Sequence, residues 1–101
     1  MEIKLIAVNT EKDEDGFPVE KKCEVEVYAK EKSVTRTELY ESMRAGVTAK
    51  MVYEIRQEDW NRAKELSDDK YVRKIENEDG VEHDIIRTYK VGKATIELVC
   101  G

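Results

Sequence analysis

The chain carries one histidine, two cysteines and many carboxylates, so the side chains that could do chemistry are few enough to take one by one. His83 alone has an ordinary pKa near neutrality, and an acid–base pair working there must recruit it or a shifted carboxylate. Its neighbour Asp84 points to the opposite side of a strand, which spoils the simplest His–Asp partnership. Ser33 and Ser42 lack the G-x-S-x-G elbow that exposes a nucleophile. Gly16, Gly46, Gly80, Gly92 and Gly101 are scattered, so no glycine-rich loop cradles a phosphate. Cys23 and Cys100 stand far apart with no further cysteine or histidine at zinc-site spacing, and reduced thiols are the simplest reading. Glu11, Asp13, Glu14 and Asp15 crowd one loop but miss the ligand register of a calcium loop, so they read as a solvated acidic turn. The sequence thus predicts no catalytic residue, no metal and no cofactor.

The elements that would position any site are more legible. Lys32 to Gly46, KSVTRTELYESMRAG, reads as a helix with Thr35 as N-cap, Glu38 completing a capping box and Val34 able to staple onto Leu39. Leu39, Tyr40 and Met43 share one face, Arg36, Glu41 and Arg44 point elsewhere, and Gly46 supplies a left-handed C-cap. So short a helix must dock its apolar face, either on the strands around it or on a neighbouring subunit.

The remaining segments alternate as strands do. Ile3, Leu5 and Ala7 face one way and Ile6 and Val8 the other, while Cys23, Val25, Val27 and Ala29 form one face of a half-buried strand over Val19–Lys30. The loop between them, Thr10 to Pro18, suits a hairpin that pairs these two strands. Met51, Tyr53 and Ile55 mark a third strand within Val47–Arg56, and in the last strand Ala94, Ile96 and Leu98 face one way while Thr95, Glu97 and Val99 face the other. Tyr71–Ile75 and Val81–Val91 complete the set, with Asp79-Gly80 as a hairpin turn. Gln57 to Asp69 gives one turn of helix or a charged loop, pinned by Trp60 and Leu66. Arg87, between Ile85, Ile86 and Tyr89, either meets a carboxylate across a subunit interface or faces solvent or an internal glutamate.

Length and composition set the outer limits. A chain of 101 residues makes one domain, residues 1–101, with one modest core. Charged residues are 41% of the total and the net charge is -5, which opposes adhesion to phosphate backbones. No apolar run approaches a membrane span and Met1–Lys4 does not open a secretory signal, so the expectation is a cytosolic product without membrane contact. The expected fold is mainly β, a small β-barrel of about six strands with one short helix inserted between the second and third strands.

Three stretches carry a family resemblance: the acidic hairpin DEDGFPVEKKCEVEVYAKEKSV, the helical KSVTRTELYESMRAGV leading into AKMVYEIR, and the closing HDIIRTYKVGKATIELVC. In this order the chain resembles the bacteriophage head-tail joining proteins, the head-closure or stopper family. It departs from them at Ser42, where members often carry alanine, at Thr48-Ala49-Lys50, where a proline is frequent, and near His83, where a tyrosine is common. The resemblance implies a virion structural protein, made in the bacterial host cytoplasm and placed at the head-tail interface. Such a protein closes the DNA-filled head, docks the tail, and is not an enzyme. Implied partners are portal or adaptor connector proteins, tail proteins and further copies in a ring, the free chain being a monomer until assembly; packaged DNA passes without specific binding. The segment from Lys32 to Thr48 would contribute to the channel or its closure. Val34, Leu39, Tyr40 and Met43 would form the packing face, with Arg36, Glu41, Arg44 and Arg87 at ring or channel contacts. A small β-barrel ligand- or oligonucleotide-binding module, or a tail-terminator protein, is the alternative.

Overall fold

The alternating segments assemble into a single antiparallel sheet in the computed structural model, which describes residues 1–67 and 70–101. In chain order the elements are β1 (Glu2–Lys12), β2 (Pro18–Tyr28), β3 (Lys30–Lys32), α1 (Arg36–Arg44), β4 (Met51–Arg56), α2 (Gln57–Glu65), β5 (Lys74–Glu76), β6 (Glu82–Val91) and β7 (Thr95–Cys100). Across the sheet the strands run β2-β1-β5-β6-β7-β4-β3. The expected pairing of the first two strands is present, from Glu2↔Tyr28 to Lys12↔Pro18.

The barrel expectation needs correcting. β2 and β3 are the two edges of the sheet, yet only Ala29 separates them in the chain. One long strand therefore turns at Ala29 and lends its halves to opposite edges, and no ladder of hydrogen bonds closes the sheet into a barrel. The same break moves the helix. The expected second strand is two strands, so α1 lies between β3 and β4 rather than between the second and third.

The interior is built by the faces that alternation marked. Ile3, Leu5, Val25, Val27, Ala29, Tyr53, Ile55, Ile96, Leu98 and Cys100 form one buried cluster, joined by Val72, Ile75 and Ile85. Ala63 was not read from the sequence as a core residue. Gln57–Glu65 is a full helix, α2, and contributes Trp60 and Ala63, whereas the expected anchor Leu66 is 46% exposed. α2 packs on β1, β4 and β7. Because β1 and β4 each lie one strand in from an edge, the helix bridges the unclosed side of the sheet. The part of that expectation falling on Asp68 and Asp69 lies outside the described residues.

Two local devices shape the rest. At the β5–β6 turn Asn77 accepts hydrogen bonds on its side-chain oxygen from the N–H groups of Asp79 and Val81, both at 3.0 Å, and Gly80 adopts φ +78°. In β6 the register slips between Ile85 and Arg87, which pair with Cys100 and Val99 respectively. Residues two apart normally share a face, so without the slip Arg87 would follow Ile85 into the core. With it, Ile86 joins Val34, Ala49, Val52 and Val99 in a small apolar cluster on the outer side of the sheet.

Candidate functional site

The excursion between β3 and β4 forms the most distinctive surface, and its helix begins as the sequence requires. The Thr35 side chain accepts a hydrogen bond from the Glu38 N–H at 3.2 Å. The helix ends with Gly46 at φ +79°, its N–H donating to the Met43 carbonyl while the Val47 N–H donates to that of Ser42, both at 3.1 Å. These bonds satisfy carbonyls that a helix end otherwise leaves open. The capping box is only half made. The Glu38 carboxylate turns to the sheet instead of back to the Thr35 backbone.

At that contact Arg87 reaches from β6 with its Nε 2.8 Å from Glu38 Oε1 and its guanidinium donating to Glu41 Oε2 at 3.1 Å. Arg87 also donates to the Tyr89 hydroxyl at 3.3 Å, and that hydroxyl donates to Glu38 Oε2 at 3.1 Å. Glu38 Oε1 is buried and makes no aligned hydrogen bond, so its attraction to Arg87 is charge on charge. Burial raises the Tyr89 pKa, as does its hydrogen bond to Glu38. Burial works against the Arg87 charge, but Tyr89, Glu38 and Glu41 together outweigh it and raise the pKa. The register slip at Ile86 aims both Arg87 and Tyr89 at the helix.

A second anchor sits one turn further on. Ser42 is fully buried, its hydroxyl donating to the Leu39 carbonyl at 2.8 Å and accepting from the Ala49 N–H at 3.1 Å. Ala49 in turn belongs to the outer cluster with Val52 and Val99. Polar contacts thus dock α1, and they decide its rotation. Glu38, Glu41 and Ser42 face the sheet, and at about 100° per residue Arg36, Tyr40, Met43 and Arg44 then point away from it.

The expected packing face is thus only partly docked within the subunit. Tyr40 and Met43 are each 58% exposed, Leu39 is half-buried, and Val34 packs into the outer cluster. Of the four residues expected at ring or channel contacts, Arg87 and Glu41 pair with each other inside one chain. Arg36 and Arg44 are exposed. No family model, curated protein or solved structure matches the chain.

Elsewhere the reactive residues have structural settings. His83 is half-buried, one ring nitrogen 3.2 Å from the Asn77 amide nitrogen and the other 3.3 Å from the Gly101 carbonyl oxygen. The amide can only donate and the carbonyl only accept, so the proton belongs on Nδ1. Cys23 and Cys100 are both free thiols. Burial pushes the Cys100 thiol up to about 12. In the folded protein a thiol reagent should therefore modify Cys23 alone, with Cys100 reacting only on unfolding; mass spectrometry of native and denatured samples checks this. Among the described residues no group of three or more histidine, cysteine, aspartate or glutamate side chains could hold a metal ion. Among the described residues no helix is long and apolar enough to cross a membrane.

Replacing Arg87 with leucine should loosen α1 without loosening the core. Glu38 and Glu41 would then face one another with no cation between them. Hydrogen exchange should speed up across Arg36–Arg44 while β7 keeps its protection. Equal loss in both elements would show that Arg87 supports the whole sheet and does not hold the helix alone.

Proposed function

We propose that this chain is a virion structural protein of the head-tail interface, a ring-forming connector component that closes the filled head and offers the tail its docking surface. The family resemblance suggests the role. The observation that supports it most is the rotation of α1, which leaves a mixed apolar and basic face, Arg36, Tyr40, Met43 and Arg44, turned to solvent on an ordered excursion. A face of that kind on a monomer suits assembly with other chains better than solitude. Portal, adaptor and tail proteins are the proposed neighbours. The net charge of -5 fits a channel component past which DNA must slide without the counterion-release gain that basic residues would give.

One observation favours a second reading. Tyr40 between Arg36 and Arg44 on the same helix face also fits a stacked base with phosphate contacts, the habit of a small oligonucleotide-binding module. Titration of the chain with single-stranded DNA separates the two: tight binding that collapses with salt supports the binding module. The deciding experiment is to remove this chain during phage production and image the particles. Filled or leaking heads beside separate, finished tails are expected; normal virions would overturn the connector reading.

A further inference from the structure

Two surface features share a chemical logic. The first is the distal end of the β1–β2 hairpin. β5 reaches β1 only at Lys4, Leu5 and Ile6, so from Ala7↔Cys23 outward the two strands pair only with each other. Residues 10–22 are exposed throughout, making a projecting arm on a molecule whose principal extents are 50 × 30 × 26 Å. Its tip carries Phe17, 66% exposed, with Val19 beside it. The charge there is net acidic, Glu11, Asp13, Glu14, Asp15 and Glu20 outnumbering Lys12, Lys21 and Lys22. Lys21 lies 3.9 Å from Glu11 and Lys22 lies 3.3 Å from Glu82, so these two lysines have partners. Asp13 is spent on the turn, accepting from the N–H groups of Asp15 and Phe17 at 3.0 and 2.8 Å. Glu14 and Asp15 remain beside the exposed ring.

The second feature is the outward face of α1, which is the converse. Tyr40 and Met43 supply an apolar centre, and Arg36 and Arg44 flank it without a carboxylate partner among the described residues. Phe17, Tyr40 and Met43 are each more than half exposed, so the arm tip and the helix face do not cover one another within one chain.

We infer that the acidic arm tip of one copy docks on the basic, apolar face of α1 in the next, Phe17 against Tyr40 and Met43, with Glu14 and Asp15 against Arg36 and Arg44. Aromatic rings pack well on rings and on thioethers, and arginine suits carboxylates at a rim. An unsupported two-stranded ribbon is marginal in water, so the arm gains order by docking. The contact joins two different patches, which makes it head-to-tail, and copies repeated through such a contact close into a ring or run on as a filament. The inference rests on the connector reading in taking a second copy as the occupant. One arm tip buries too little surface for a stable dimer, so the free chain is a monomer and the contact gains strength only when many act together.

Weak contacts call for trapping. Two full-length chains, both with Cys23→Ser, would carry Val19→Cys on the arm or Val47→Cys just past α1, leaving all seven contact residues intact. Mixed under mild oxidation, the pair should give arm-to-helix dimers in about tenfold excess over either same-site dimer, a local-concentration effect. Arg44→Glu in the helix-labelled chain should abolish the excess, and Asp15→Lys in the arm-labelled chain should restore it. Random proportions of the three dimers, or an excess indifferent to both charge reversals, would overturn the inference. Unjoined heads in particles lacking the chain would still stand in that case, leaving the connector reading with a different interface.

Discussion

Trp60→Ala is expected to lower the unfolding free energy by about 3–5 kcal/mol, the usual range for removing a buried tryptophan. Trp60 is almost wholly buried in the interior cluster, and the only other buried residue of α2 is Ala63. The helix has no side-chain hydrogen bond at its N-cap, so packing must hold it. Packing here means the indole. Without it α2 loses its grip on β1, β4 and β7, and the unclosed side of the sheet opens to water. A domain of this size has about 5–15 kcal/mol in all, so the variant would stand near the edge of folding. Trp60 is the only tryptophan, so circular dichroism should follow urea unfolding in both proteins. Leu66→Ala supplies the contrast: at 46% exposure it should change stability by no more than about 0.5 kcal/mol. Equal costs for the two would contradict the bridging role given to α2.

Trp60 also shows where reading the sequence ran out. Strands whose one face is apolar announced themselves, and the inner faces around Leu5, Val27, Tyr53 and Leu98 were all legible. The turn at Ala29 was not, because a strand that bends at a small residue keeps its alternation through Val25, Val27 and Ala29. Only the change of partner, from β1 to β4, exposes the break. In α2 the buried stripe is one large and one very small residue, and Leu66 drew attention from Ala63. The spacing of Trp60 and Ala63, with acids in the first turn and bases in the last, was the available signal.

The rotation of α1 escaped the sequence for a different reason. Hydrophobicity alone turns Leu39, Tyr40 and Met43 toward the sheet, but a carboxylate pair and a buried hydroxyl turn the helix the other way. Burial of Glu38 and Ser42 is possible because Arg87, Tyr89 and the Ala49 N–H meet them. The sequence did hold half of this, in an arginine on an apolar strand with an internal glutamate as one candidate partner. The one-residue slip at Ile86 had no sequence signal, and without it Arg87 would point into the core.

Ser42→Ala is the sharper test of that arrangement, expected to cost about 1–3 kcal/mol because it strands a buried donor. The Ala49 N–H has the Ser42 hydroxyl as its partner, and both residues are buried, so water cannot replace the bond without opening the excursion. Alanine is also what the phage-joining resemblance leads one to expect at this position, so the substitution asks whether this chain fixes its helix in its own way. Met43→Ala, on the neighbouring but outward position, should cost no more than about 0.5 kcal/mol in the isolated chain. If hydrophobic docking governed the helix, the ranking would reverse, Met43 costly and Ser42 cheap. Urea unfolding of the two variants therefore decides the rotation of α1, and with it whether Tyr40 and Met43 are free to meet another chain.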